Sequence, residues 1–251
     1  MSDVSTDTPT FKFKLGRLPK RDLALAPLRT YFEDGALPVA PAKCERALKV
    51  KYPMADNDRL GDCVVAGHIH LSQAVAEENG GTYTYPGDAA TQTEYFVLTG
   101  GQDTGLSEST FLTTAQSTPI LGSQVDVFGV LNHADRNEVK SGIYTFGGVF
   151  LGVNLPQSAE NQFANQNPIW TVVPGSPIIG GHCIVAIGYD AEYVYVVTWG
   201  QVIRCTWAWF LEYVEEAYGI LYTEQVSAGR GPLKGLDIAR LRADIASLPQ
   251  I

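Results

Sequence analysis

The sequence predicts an α+β fold in which helices come first and an antiparallel sheet follows. Three observations carry this. Residues 63–76 are apolar on nearly all sides (Val64, Val65, Ala66, Ile69, Leu71, Ala74, Val75), the pattern of a buried helix. Two apolar runs, 183–189 and 193–199, are separated only by Asp190-Ala191-Glu192, the pattern of a hairpin. Helical patterns dominate the chain before this hairpin, and short strands dominate after it, with no internal repeat and no low-complexity tract.

Each element follows from local chemistry. Residues 1–45 are Pro-rich and lack a helical period, and they hold the basic cluster Lys12, Lys14, Arg17, Lys20 and Arg21. They read as an extended arm that packs on its own domain, with Leu15, Leu18, Leu23 and Leu25 filling grooves. The sharper reading is an arm that docks on another subunit or blocks a cleft. Asp62 reads as the N-cap of the buried helix, which Asn79-Gly80-Gly81 ends. Residues 108–118 read as a second helix, stopped by Pro119. Residues 124–130 alternate as a strand. Residues 135–146 form an amphipathic helix through Val139, Ile143 and Phe146, ending at Gly147-Gly148, and 149–153 a short buried strand. Residues 202–205 extend the hairpin, and Thr206 caps a short helix through Trp207, Phe210, Leu211 and Val214. Residues 219–222 are a last strand. The linker Gly229-Arg230-Gly231-Pro232 leads to a terminal helix with Ile238, Leu241, Ile245 and Leu248 on one face. The domain reading is therefore an arm at 1–45, one domain at 46–226, and a linker with a C-terminal helix at 227–251.

Composition bounds the function. A length of 251 residues suits one large domain. The formal net charge of −9 argues against nucleic acid or an anionic membrane as partner. The first residues carry no basic or apolar run of a secretory signal, and no apolar stretch is long enough to span a bilayer. Cys44, Cys63, Cys183 and Cys205 are scattered without metal-knuckle spacing and read as free thiols. No cofactor or metal is expected. His68 and His70 sit two apart on a helix and so point to different sides, which does not suit a metal. His68 reads as a buried residue with a backbone partner, and Cys183 as core. Trp207, Trp209 and Tyr213 also read as core, and 100–105 as a Gly-rich loop.

Two segments carry chemistry. Asn57-Asp58-Arg59-Leu60-Gly61-Asp62-Cys63 puts a thiol in the first turn of a helix, where the dipole favours thiolate and unpaired N–H groups can hold an oxyanion. Gly61 lets a substrate backbone approach closely. Asp62 can cap the helix or touch substrate. Gly180-Gly181-His182 opens a strand, and His182 is the group to take the thiol proton and later return it to a leaving amine. Gly181 keeps that approach uncrowded, and Trp199 shields the pair from water.

These two segments resemble the papain-like cysteine peptidase superfamily. The second reads Gly181-His182-Cys183-Ile184-Val185-Ala186-Ile187-Gly188-Tyr189-Asp190, followed by 193–199 and Gly200, close to the papain-type block. The resemblance spans roughly residues 50–222. It implies a papain-like α+β fold with the central nucleophile helix packed against an antiparallel sheet. It also implies Cys63 as nucleophile, His182 as base and acid, and Asn57, six residues before the thiol, in the oxyanion-stabilising place of the family's Gln. The Asp62-Cys63 pair and the helix after the hairpin are similar to the bacteriocin-leader-processing branch. The family orients its His with an Asn or Asp sixteen residues on, and here that position is Thr198. Alignment on Trp199-Gly200 would instead give Val197, and strand alternation puts Val197 and Trp199 on one face and Thr198 on the other. The layout from Lys14-Leu15-Gly16-Arg17-Leu18-Pro19 to Gly61-Asp62-Cys63 faintly resembles uncharacterised papain-like proteins of bacteria and their phages.

The expected function is a thiol hydrolase cleaving a peptide or isopeptide bond, with a peptide or protein as substrate. The alternative is a catalytically inactive papain-fold structural protein, such as a phage capsid or tail component, binding partners through residues 1–45. Its expected location is the cytoplasm or a virion.

Overall fold

The computed structural model describes residues 13–227 and 235–248. Lys12 and the Gly229–Pro232 linker lie outside the described residues. Helix α1 (Cys63–Glu78) is followed by α2 (Asp88–Leu98) and α3 (Glu108–Ser117). Then come β2 (Val125–Val130), α4 (Arg136–Phe146), β3 (Val149–Pro156), α5 (Gln157–Phe163) and β4 (Ile169–Trp170). The remainder is β5 (Ile178–Tyr189), β6 (Tyr193–Thr198), β7 (Gln201–Thr206), α6 (Trp207–Tyr213), β8 (Val214–Tyr222), α7 (Thr223–Ser227) and α8 (Ile238–Ala246). A two-residue strand β1 (Cys44–Glu45) lies ahead of α1.

The strands form one eight-stranded sheet in the order β2-β8-β3-β5-β6-β7-β4, with β1 also paired to β5. All these pairings are antiparallel except β4 with β7. The α+β expectation, with a helix apolar on all sides lying on an antiparallel sheet, is what the chain adopts. From Cys63 to Val75, α1 is buried except at Gln73, and it packs against β5 and β3. Helix ends follow side-chain chemistry. Asp135 accepts from the Asn137 amide at 2.9 Å at the start of α4, and Gly147 in the left-handed region ends it. Thr206 caps α6 through the Trp209 amide, and Asp237 caps α8 through the Arg240 amide.

Several expectations need correction. His182 is not at the start of its strand but in the middle of β5, because Ile178–Gly181 pair with β3. The last strand begins at Val214, not at 219, and α6 ends at Tyr213. Val214–Gly219 pair with β3 and Tyr218–Tyr222 with β2, and this pairing overrides local helical pattern. The strand at 149–153 continues to Pro156 because Asn154, Leu155 and Pro156 go on pairing with β5. Helices α2 and α5 have no counterpart in the sequence reading, since neither carries a broad apolar stripe. Leu18 stands exposed, while Leu15, Leu23 and Leu25 pack against the core. Phe13, Leu28 and Tyr31 near the start of the chain and Leu241, Ile245 and Leu248 near its end belong to the same hydrophobic core as the sheet. Helix α8 is tied down by a bidentate Arg242–Asp126 pair and by the Tyr31 hydroxyl donating to Asp244. The apolar face of α8 is therefore covered by its own chain.

Candidate active site

Cys63 begins α1 and His182 lies on β5, the strand against which α1 packs. Both are fully buried. The thiol receives the backbone N–H groups of Cys183 and of Gly16. Burial pushes the Cys63 thiol up to about 12 against these amides. Burial, helped by the charge of Arg17, pushes His182 down to about 3. In this closed state the thiol and the imidazole are both neutral.

The His182 ring is held on two sides. Its Nε2 lies 2.8 Å from the Thr198 hydroxyl, and its Nδ1 is buried without a hydrogen-bond partner. With Nε2–H donating to Thr198, Nδ1 carries the free lone pair a general base needs. The ring also stacks on Trp199, with centroids 4.6 Å apart and planes 21° from parallel. Strict alternation would send Trp199 and Thr198 to opposite faces, but the strand ends at Thr198. Trp199 and Gly200 form a two-residue turn with φ of 44° and 70°, closed by the Thr198–Gln201 pair. That left-handed conformation costs a bulky residue energy, and it lets the indole and the Thr198 hydroxyl reach the same imidazole.

Asp62 stands at the N-cap position but its side chain caps nothing. Its Oδ1 accepts from Asn57 Nδ2 at 3.1 Å, and its Oδ2 is buried without a partner. Burial raises the Asp62 carboxyl to about 8, so it is mostly protonated at neutral pH. The helix start is left to the thiol and to the N–H groups of the first turn, since the first backbone bond of α1 runs from Ala66 to the Asp62 carbonyl. Asn57 is buried beside this turn with its amide on Asp62.

The groove over the thiol is filled by the arm. The Arg17 amide donates to the Gly181 carbonyl at 3.1 Å, the Leu106 amide to the Gly16 carbonyl at 2.9 Å, and the Leu18 amide to the Leu106 carbonyl at 2.9 Å. Phe13 stacks on Trp199 at 4.5 Å, and its amide donates to Glu160 at 3.0 Å. Lys14 pairs with Asp103, whose Oδ1 accepts from the Gly61 amide at 3.0 Å and the Tyr95 hydroxyl at 2.7 Å. Of the four positions read as contacting substrate, Gly61, Gly181 and Trp199 touch the arm, and Asp62 lies beneath. Of the arm, residues 1–12 lie outside the described residues, and residues 13–18 pack on their own domain and in doing so cover the cleft.

Sequence reasoning missed Asp103, Tyr95, and the acids that receive Arg17. Arg17 passes for one member of a basic cluster, and Asp103 for part of a Gly-rich loop. The one local signal was Glu215-Glu216, two acids heading an otherwise apolar strand. His68 does have the expected backbone partner, its Nε2 lying 3.1 Å from the Ile120 carbonyl, and Cys183 is core.

A mixed sheet with a buried thiol helix laid across the strand that carries the histidine defines the papain-like fold, and solved structures agree. No family model and no curated protein matches the sequence. Xylellain, a cysteine protease from Xylella fastidiosa, superposes with a TM-score of 0.61 at 12% identity, over 85% of this chain and 97% of that one. The cysteine protease and lectin-like domains of Cwp84 from Clostridium difficile match with a TM-score of 0.52 at 13% identity, over 73% of this chain and 54% of theirs. Procathepsin L 3 of the Tenebrio molitor larval midgut matches at 0.50 and 10%, over 83% of this chain and 75% of that one. The chain has the fold of the papain-like cysteine proteases.

Proposed function

We propose that the protein is a thiol hydrolase that cleaves an amide bond in a peptide or protein, held latent by residues 13–18 lying in its own groove. The observation that carries this reading is the fixed His182 ring: tied at Nε2 to Thr198, stacked on Trp199, left with an unpartnered Nδ1, and carried on the strand against which the helix that Cys63 begins packs. Once the arm leaves, water and substrate dipoles replace its contacts, and the burial that holds both groups neutral is relieved. His182 then takes the thiol proton. The thiolate attacks the carbonyl carbon, and the Cys63 amide holds the developing oxyanion, with Asn57 as its neighbour. His182 returns the proton to the leaving amine, a thioester remains, and a water deprotonated by His182 hydrolyses it to the acid and free thiol.

A second reading is a catalytically silent papain-fold protein that serves assembly. It is supported by the neutral thiol and imidazole, and by a hydroxyl where a carboxamide or carboxylate would hold an imidazolium better. The test is the pH dependence of Cys63 alkylation, located by mass spectrometry, in the intact chain and in full-length Gly16→Val. A Cβ on Gly16 would lie 1.8 Å from the Gly61 carbonyl oxygen, so the arm cannot seat. Expected is an inert thiol in the intact chain and, in the variant, alkylation well below pH 7 that is lost when His182→Ala is added. A variant thiol that titrates near about 8.5 with or without His182 sinks the hydrolase reading and leaves the silent one.

A further inference from the structure

We infer that the groove beside Cys63 is built to receive a glycine followed by an arginine, so that the peptides this site takes carry a Gly-Arg pair. The inference rests on the proposed hydrolase reading only for what happens after binding. The arm supplies the first observation, because Leu15-Gly16-Arg17 fits the groove as a ligand would. The groove wall is made of glycines. An added Cβ would stand 2.3 Å from the Arg17 carbonyl oxygen at Gly181, 2.1 Å from the Gly16 carbonyl oxygen at Gly105, and 2.9 Å from Leu15 at Gly180. At Gly16 itself the clash with Gly61 leaves room for no side chain. The position ahead of the arginine therefore selects glycine by exclusion.

The arginine position selects by charge. Arg17 Nη1 donates to Glu216 Oε1 at 2.6 Å, and Nη2 donates to Glu215 Oε2 at 2.7 Å, to Asn154 Oδ1 at 3.1 Å and to the Val153 carbonyl at 3.3 Å. The guanidinium and Glu216 are almost completely shielded from water. Gly152 gives the stem its space, since a Cβ there would meet Arg17 Cδ at 2.8 Å. A second observation is independent of the arm's own bonds. Glu108, fully buried, lies beside Glu216 and the Cys183 thiol, and neither of its carboxyl oxygens has a hydrogen-bond partner of nitrogen or oxygen. A pocket floored by two buried acids, with acceptors spaced for a planar fork, is a guanidinium site, and an emptied pocket keeps those acceptors in place for another guanidinium. Lysine, a point charge with three donors on one nitrogen, cannot reach Glu215, Glu216 and Asn154 as the fork does.

The test uses the full-length chain carrying Gly16→Val and Arg17→Ala, which cannot seat its arm and offers no competing guanidinium. The probes are acetyl-Leu-Gly-Arg-Leu-amide and versions with norleucine, lysine or glutamate at the arginine position, and alanine at the glycine. Binding is read as protection of Cys63 from alkylation and by calorimetry. The expected result is at least tenfold tighter binding of the Gly-Arg peptide than of each other peptide, and loss of the preference over norleucine when Glu216→Gln is added. Equal binding of all peptides, or no binding while Cys63 alkylates freely, overturns the inference. Should the double variant fail to give a cooperative melt, Arg17→Ala alone with N-ethylguanidinium replaces it. A melting point raised by that cation and not by N-ethylammonium supports the pocket, and no rise overturns it. A Gly-Arg peptide that binds selectively yet is never cleaved keeps the specificity and removes the hydrolase; cleavage of all peptides alike does the reverse.

Discussion

His182 takes its orientation from a hydroxyl, and that choice sets both its strength and its weakness. Thr198 can accept from Nε2–H and so fix the tautomer, but it brings no charge to hold an imidazolium. Removing the hydroxyl while keeping the shape tests this bond directly. Thr198→Val would leave Nε2 buried and unpaired, so it should lower unfolding stability by about 1–3 kcal/mol. Thr198→Ser keeps the hydroxyl and should cost less, the loss being one buried methyl of about 1 kcal/mol. Urea unfolding of both variants checks the order; a valine variant as stable as the serine one would show that the bond contributes nothing.

Among the elements, the seam between α1 and β5 decides where the thiol stands relative to the ring. Gly67, one turn beyond Cys63, is where the two come closest: a Cβ there would lie 2.8 Å from Cys183 Sγ and 2.9 Å from Phe150 Cε2. Alanine in mid-helix gains about 1 kcal/mol over glycine in propensity. Overpacking a well-packed core costs about 1–3 kcal/mol. Steric cost should win, so Gly67→Ala is expected to be less stable by up to about 2 kcal/mol, as a thermal melt would show, with α1 lifted from the sheet. Helix α1 and the β5–β6 hairpin were legible because an all-round apolar run and two apolar runs about a three-residue turn leave few alternatives. The path of the arm was not. Its register is set by backbone bonds to Gly181 and Leu106, residues far away in sequence with no side-chain signal of their own. Thr198 was legible from its offset to His182, whereas the co-orienting role of Trp199 depends on a left-handed turn that alternation arguments exclude. Glu108 and Glu216 come together only when α3 lies against the sheet, and no local pattern pairs them.

Across the whole molecule, buried titratable groups pull stability in opposite directions with pH. Burial pushes His182 down to about 3 and His68 and His70 down to about 4 each, from an ordinary value of 6.5. The unfolded chain takes up a proton on each near 6.5 that the folded chain refuses, so stability falls as pH drops through that window. Asp62, raised to about 8 by burial from 3.8, and Glu108, raised well above 4.5 by burial and by the charge of Glu216, behave in the other sense. The folded chain keeps their protons while the unfolded chain loses them, so the stability they give at low pH is lost as pH rises. Each group contributes a slope of about 1.4 kcal/mol per pH unit inside its window. Near pH 5 the lowered histidines, His133 among them, outweigh the raised acids, Glu78 among them, and stability rises with pH; above about 6.5 the raised acids dominate and it falls. Urea midpoints from pH 4.5 to 9 should therefore peak at about pH 6–7. Asp62→Asn should flatten the alkaline limb and steepen the acid limb. A midpoint that climbs steadily to pH 9 would mean that Asp62 is ionised in the folded chain. The His182 share of the acid limb exists only while the arm seals the groove, so Gly16→Val should weaken that limb. Closure of the groove and the protonation state of the site are thus one equilibrium, and the acid limb reports how far it lies toward the sealed form.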